Sequence, residues 1–327
     1  MGPGLGFAAV VKADGYGHGA PAVARVALAS GADLLAVTDL NEALALRAAG
    51  LGASILITGP VNPARAGVVS ENKFSVMVDN PRLLRALSSL NARRPVSVQI
   101  EVDLGLGRWG VGLQDLPKFY RLVEKAPGVR LDGIYAHPGY VAGKNGPLIR
   151  KRLAEFCAVT DRLFADGRAV PRHVANSALL LDFPKYRWDG VRVGNLLYGI
   201  HSTPGVLSLQ NPWRPLSKIV RIGRVQAGQR IGYGSESIFP RAMTVGTIPV
   251  GYGHGLTLEP ASVLKGRRPS FHYWGMVRGV RCPFIGKPGM NHVLVDLSGV
   301  AKPREGEEIQ MPLRRTAAAH WPKVYLR

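Results

Sequence analysis

The chain has 327 residues, 46% hydrophobic and 20% charged, with a mean hydropathy of +0.05; this is enough apolar material for one large core or two smaller ones, and it excludes a disordered chain. Forty glycines and 24 prolines without a three-residue period exclude a fibrous repeat and mark turns between many short elements. Forty-two Lys+Arg against 22 Asp+Glu give a net charge of +20, but no basic run is longer than Lys265, Arg267 and Arg268 and no aromatics interleave it, which argues against a nucleic-acid surface.

Apolar runs bounded by turn residues predict strands at Phe7–Ala13, Leu34–Thr38, Ile55–Gly59, Ser75–Asp79, Val96–Asp103, Leu131–His137, His173–Asn176 and Val191–Gly194. Ala- and Leu-rich stretches at helical spacing lie between most of them: Ala22–Ala29, Glu42–Ala49, Leu83–Leu90, Leu116–Lys125 and Ile149–Phe164. Eight alternating units imply parallel strands with right-handed crossovers, and they fit a (β/α)8 TIM barrel better than an open sheet. After Gly199 the texture changes. Short alternating runs at Lys218–Val225, Arg230–Tyr233, Met243–Val250, Met276–Arg281 and His292–Asp296 predict strands with almost no helix. The expected fold class is therefore α/β, a TIM barrel over residues 1–205 followed by a C-terminal all-β domain over residues 206–327.

No stretch reaches the ~20 uninterrupted apolar residues of a spanning helix, and the N-terminus lacks the basic region, apolar core and cleavage site of a secretory leader. The two cysteines, Cys157 and Cys282, lie too far apart for a metal knuckle and are expected as buried thiols in a reducing compartment. A soluble, cytoplasmic protein without membrane contact is the expectation.

Chemistry on a barrel of this kind sits at the C-terminal ends of the strands. The first strand ends in Val11-Lys12-Ala13-Asp14-Gly15-Tyr16-Gly17-His18-Gly19. A lysine at the end of an apolar strand is desolvated, which lowers its pKa and makes it a nucleophile able to form a Schiff base; a lysine snorkelling at the rim would look the same. Gly105-Leu-Gly-Arg-Trp-Gly110 satisfies the dinucleotide template GxGxxG, with Glu124 at a suitable distance, but it follows the fifth strand rather than the first.

The run Val10–Gly19 resembles the signature around the cofactor lysine of alanine racemases. The resemblance continues in order through Ile100–Gly110, Tyr135-Ala136-His137, His173–Ala178, Val191–Gly194 with Tyr198-Gly199, Ile248–Gly255 and Gly289–Asp296. It implies a homodimer with shared active sites that binds pyridoxal 5'-phosphate (PLP) and interconverts L- and D-alanine, supplying D-alanine for the peptidoglycan of the cell wall. Lys12 would hold PLP and act as the base on one face of the substrate's α-carbon, and Tyr252 would be the base on the other. Arg192 would donate to the pyridine nitrogen, a permanent cation that weakens the electron sink. Ser177, the backbone at Gly194 and Tyr16 would contact the phosphate; His137 and Asn176 would border the cofactor; Arg108 and Met290 would meet the substrate. No metal is implied.

The chain departs from the family pattern in places. Glu101 stands where many members carry a lysine that supports the arginine, and its carboxylate could orient Arg108 by a charge-assisted hydrogen bond from behind the substrate shell. His254 and Asn291 stand where acidic residues are usual, and Asn195 where an apolar one is. The family also carries more chain before the first strand and near the end, so both termini read as shortened, with sheet edges left exposed. A broader-specificity racemase and a non-catalytic PLP-binding protein remain alternatives; a decarboxylase or aldolase on this barrel would need a different constellation from Gly251-Tyr-Gly-His-Gly255.

Overall fold

The computed structural model describes residues 6–90, 92–165, 169–200, 203, 207–231, 237–239, 241–256 and 273–326. The chain divides into two compact units, Met1–Pro212 and Trp213–Arg327.

The first unit is a parallel barrel. Strands β1 (Gly6–Val10), β2 (Leu34–Val37), β3 (Ser54–Ile57), β4 (Ser75–Val78) and β5 (Val96–Asp103) follow one another; after a short β6 (Val111–Gly112) come β7 (Val129–Ala136), β8 (Arg172–His173) and β9 (Gly190–Val193). The hydrogen-bonded order is β8-β7-β5-β4-β3-β2-β1-β9, and β6 adds a short parallel pairing to β5. The circle is completed by a parallel bridge between Ala175 and Val191, with Arg192 N–H donating to Ala175 C=O at 2.8 Å.

Helices α1 (Ala20–Ala29), α2 (Leu40–Ala48), α3 (Ala66–Glu71), α4 (Pro81–Ser88), α5 (Leu116–Glu124), α6 (Gly146–Leu163) and α7 (Ser177–Asp182) connect the strands. Their starts are written in local chemistry. Asp39 caps α2 in a reciprocal box with Glu42, and Asn80 caps α4 ahead of Pro81. The six-residue helices α3 and α7 are too short to show a period and were not expected.

Alternation along the strands divides the barrel into two environments. Phe7, Ala9, Leu35, Val37, Ile55, Ile57, Val76, Val78, Val98 and Ile100 belong to the apolar layer shared with the helices. Truncating Ile55 or Ile57, both fully buried, to alanine would cost roughly 2–5 kcal/mol. The intervening positions face the barrel axis, and there the chain places Gln99, Glu101, Tyr135, His173 and Arg192, the positions from which a site can be built.

The second unit is antiparallel throughout: β10 (Leu216–Lys218), β11 (Arg221–Val225), β12 (Arg230–Ile231), β13 (Ser237–Ile238), β14 (Met243–Ile248), β15 (Trp274–Val277), β16 (Val280–Ile285), β17 (Val293–Asp296) and β18 (Glu308–Gln310). Seven strands form one sheet in the order β10-β18-β15-β16-β17-β14-β11, and β12 pairs with β13 alone. The two edge strands are consecutive in the chain. Lys218 and Arg221 are three Cα steps apart, at most about 11 Å, so the sheet curls until its edges approach. Ile248, Val277, Cys282, Val295 and Ile309 fill its core.

Three expectations are corrected here. The strand expected over Met276–Arg281 is a hairpin turning at Arg278 and Gly279, both with positive φ. The strand expected over Lys218–Val225 breaks at Ile219-Val220, where the chain changes edge, and Tyr233 of the expected Arg230–Tyr233 lies outside the described residues. Cys282 is buried as expected, but Cys157 is only half-buried on α6, its thiol donating to Asp161 at 3.3 Å.

Candidate active site

The first strand was expected to run to Ala13, but it stops at Val10. Lys12 opens a turn in which Ala13, Asp14, Gly15 and Tyr16 all take left-handed backbone angles (φ 51–61°). Three of those residues are not glycine, a conformation costing roughly 1–2 kcal/mol each. Side chains on either side hold it. Glu42 accepts the Ala13 N–H at 2.6 Å and the Thr38 N–H at 2.7 Å, and Asp14 accepts the Ala20 N–H at 2.9 Å. The turn projects Lys12 and Tyr16 into a cavity of about 500 Å³ at the C-terminal mouth of the barrel.

Lys12, Tyr16, Arg108, His137, Asn176, Ser177, Arg192 and Gly194 all line this cavity, together with Thr58, Tyr135 and Tyr140. Burial pulls the Lys12 pKa down from its ordinary value, and the Arg108 charge adds to the shift while Glu42 and Glu101 oppose it. A lysine so placed yields its free amine more readily than one in water.

Arg192 is 6% exposed and held by three short hydrogen bonds. Its guanidinium donates to His173 Nδ1 and His173 C=O, both at 2.6 Å, and to Ala136 C=O at 2.7 Å, and it lies over the Tyr135 ring. An arginine only donates, so Nδ1 of His173 must carry the lone pair and Nε2 the proton, which is given to Gln99 Oε1 at 2.8 Å. His173 is accordingly neutral, its pKa held well below the usual value by burial and by Arg192. His137 shares that fate: burial and the charges of Arg192, Arg108 and Lys12 lower its pKa to about 3.

Glu101 lies across the barrel axis, 2% exposed. Its Oε2 accepts from Tyr135 Oη at 2.8 Å and Trp109 Nε1 at 2.7 Å, and its Oε1 from Arg108 Nη2 at 3.2 Å. Burial raises its pKa against the pull of those donors and of Arg192.

At the far wall, Ser177 Oγ accepts the Gly194 N–H at 3.2 Å, leaving its own hydroxyl proton to give. A Cβ on Gly194 would lie 2.6 Å from Tyr16 Oη, so only glycine lets the phenol approach the backbone here. Tyr198 stacks on Tyr16 with ring centroids 4.5 Å apart and donates to Val10 C=O at 2.9 Å, bracing the phenol. The result is a small cradle of hydroxyl and phenol donors. Asn176 lines the mouth, but its side-chain oxygen is committed to the Ala178 and Leu179 amides as the cap of α7.

Tyr252 and Met290 lie together in the second unit. Tyr252 opens a single turn, Tyr252–His254, with its N–H on Gly289 C=O at 3.0 Å, and Gly253 N–H meets Met290 C=O at 2.9 Å. Both side chains are open to solvent.

The dinucleotide template is ruled out by its own amides: Gly105, Leu106 and Gly107 N–H all donate to the Asp103 carboxylate at 2.8–3.1 Å and have nothing left for a pyrophosphate. Gln99, Trp109, Tyr135, His173 and Tyr198 carry parts of the site without having been given a role. For Gln99 the sequence held a signal: with Ser97, Glu101 and Asp103 it forms a polar period of two alternating with Val96, Val98, Ile100 and Val102, the mark of residues facing a barrel axis.

A (β/α)8 barrel with a lysine, two arginines and a donor cradle at its mouth, followed in the chain by an antiparallel β domain, is the architecture of one class of isomerases, and comparison with known proteins agrees. The family model "Alanine racemase, N-terminal domain" matches residues 2–202, and "Alanine racemase, C-terminal domain" matches residues 214–321. The alanine racemase of Syntrophobacter fumaroxidans is 34% identical over 319 residues, covering 94% of this chain and 81% of that protein. That of Desulfovibrio desulfuricans is 33% identical over 313 residues, covering 94% and 82%. The crystal structure of alanine racemase from Bacillus anthracis with bound L-Ala-P shares the fold, with a TM-score of 0.87 at 24% identity over all of this chain and 90% of that one. The chain belongs to the alanine racemase family.

Proposed function

We propose that the protein binds PLP and interconverts L- and D-alanine, with Lys12 and Tyr252 as the two bases. The observation that carries this is the convergence on one cavity of a lysine of lowered pKa, a buried arginine with donors to spare and the Tyr16–Gly194–Ser177 cradle. These residues fit the cofactor. The cradle offers the hydroxyl donors a phosphate needs, Lys12 offers the amine, and Arg192, with three of its five N–H groups used internally, has donors left for an acceptor nitrogen. Neutral His137 can border an aromatic ring without adding charge.

PLP, when bound, supplies the electron sink that makes the α-proton of an amino acid removable. The protein's own groups do the rest. Arg108 offers its guanidinium to the substrate carboxylate and is itself set by Glu101. Lys12 takes or gives the α-proton on one face. Inverting the centre requires a second group to serve the opposite face, and Tyr252, solvent-exposed at the head of its glycine-rich turn, is assigned to it. The protein works as a homodimer in the cytoplasm, each cavity completed by Tyr252 of the partner subunit, and provides D-alanine for the cell wall.

Borohydride reduction of the PLP-loaded protein followed by peptide mapping, alongside an optical assay of L-alanine, tests this. The expected result is one reduced adduct on Lys12 and decay of the L-alanine signal to the racemic value. A folded protein with no adduct, or with one only at another lysine, overturns it.

A further inference from the structure

The loop carrying Arg108 is folded back onto the strand it leaves. Asp103, at the end of β5, collects the amides of Gly105, Leu106 and Gly107 on one carboxylate oxygen, so the chain winds about a single side chain. Gly110 closes the loop with φ +109°, so near the strand that a Cβ would lie 2.8 Å from the Asp103 nitrogen, and its N–H donates to Asp79 at 3.1 Å. Arg108 and Trp109, between these anchors, are brought back over Glu101.

The oxygens of Glu101 are divided among three donors. Oε2 takes the Trp109 indole N–H and the Tyr135 hydroxyl, which leaves Oε1 for Arg108 at 3.2 Å. The same indole lies against the Arg108 guanidinium, 4.3 Å from Cζ to the ring centre. A long side chain that is 30% exposed and has one lengthy ion-pair contact is poorly fixed by that contact alone. Trp109 adds the missing constraint twice: its N–H, together with the Tyr135 hydroxyl, holds Oε2 and so turns Oε1 toward Arg108, and its ring lies against the guanidinium.

We propose that Trp109 is a positioning residue for recognition of the substrate carboxylate, holding Glu101 by hydrogen bond and Arg108 by stacking. This rests on the proposed racemase reading, in which Arg108 meets that carboxylate. An indole can play both parts, whereas a phenyl ring keeps only the stack and an aliphatic side chain keeps neither.

The test compares the PLP-loaded wild type with Trp109→Phe and Trp109→Leu, measuring calorimetric binding of propionate as a bare carboxylate probe and KM and kcat for alanine. Trp109→Leu is expected to weaken propionate binding and raise KM about tenfold with kcat changed far less, the signature of lost binding at the carboxylate. Trp109→Phe is expected to fall between, at about threefold, with cofactor occupancy unchanged in both. Unaltered propionate affinity in Trp109→Leu, or a wild type that binds no propionate, overturns the proposal. So does parallel loss of occupancy, kcat and thermal stability without a change in KM, which marks a merely structural tryptophan. If Trp109→Leu does not fold, the threefold effect in Trp109→Phe stands as the deciding measurement. A wild type that binds propionate but leaves alanine unconverted sinks the racemase reading, while the propionate series still decides the role of Trp109.

Discussion

Arg192, at the end of β9, is almost fully buried and held by three hydrogen bonds of 2.6–2.7 Å, whereas Arg108, on the loop after β5, is 30% exposed and held by one contact of 3.2 Å and an indole face. The two cations line one cavity and, in the proposed reading, meet different partners. Arg192 is fixed in advance by backbone carbonyls and a histidine whose tautomer it dictates, as suits a group that stays bound and must find its donor already oriented. Arg108 is placed instead by its loop's anchors on Asp103 and Asp79 and by the Trp109 face, and in the proposed reading it meets a ligand that enters and leaves in every turnover.

The two arginines are expected to differ in what they contribute to the fold. Arg192→Leu leaves His173 Nδ1 and two buried carbonyls without their donor, each worth about 1–3 kcal/mol when orphaned. A loss of at least about 2 kcal/mol, read as a lowered urea midpoint, is expected. Arg108→Leu is expected to cost less than about 1 kcal/mol, because Glu101 keeps its bonds from Tyr135 and Trp109 and, with its pKa already raised by burial, can take up a proton. Equal losses would contradict the distinction.

A smaller effect sharpens it. Burial and the charges of Arg192, Arg108 and Lys12 lower the His137 pKa to about 3, and burial with the Arg192 charge holds His173 well below its ordinary value. Below the ordinary histidine value near 6.5 the unfolded chain therefore binds protons that the folded chain refuses, so stability is full above that pH and falls as the pH drops toward 3. Glu101, with a raised pKa, acts in the opposite sense, one group against two. Urea midpoints measured between about pH 4.5 and 7.5 should fall toward the acid end in the wild type and fall less steeply in His137→Asn. Parallel slopes would mean that His137 is not held neutral by its cationic neighbours.

Much of this was legible in the sequence, and the remainder was hidden for physical reasons. The strands of the barrel announced themselves because parallel strands buried on both faces are runs of Val, Ile and Leu such as Leu34–Val37 and Ile55–Ile57. Lys12, Arg108, His137 and Arg192 could be named because the motifs around them resemble those of alanine racemases, and Lys12, His137 and Arg192 also fall at or next to strand ends. The left-handed turn after Lys12 could not be, since Ala13, Asp14 and Tyr16 take φ angles their side chains disfavour and are kept there by Glu42 and Asp14, contacts that exist only after folding. The winding of residues 105–107 about Asp103 was masked by glycines that also match a nucleotide template. The hairpin at Arg278-Gly279 passed as one strand because apolar residues continue on both sides of a two-residue turn.

The proposed reaction turns on two bases, Lys12 and Tyr252, serving opposite faces of one carbon. It is tested most directly by incubating L-alanine and D-alanine separately in deuterated water with the PLP-loaded wild type and the Tyr252→Phe variant, and following both deuterium incorporation and configuration. The wild type is expected to exchange and invert both enantiomers, whereas Tyr252→Phe, with cofactor still on Lys12, is expected to exchange the α-hydrogen of one enantiomer alone and to invert neither at an appreciable rate. Undiminished interconversion by Tyr252→Phe would contradict it.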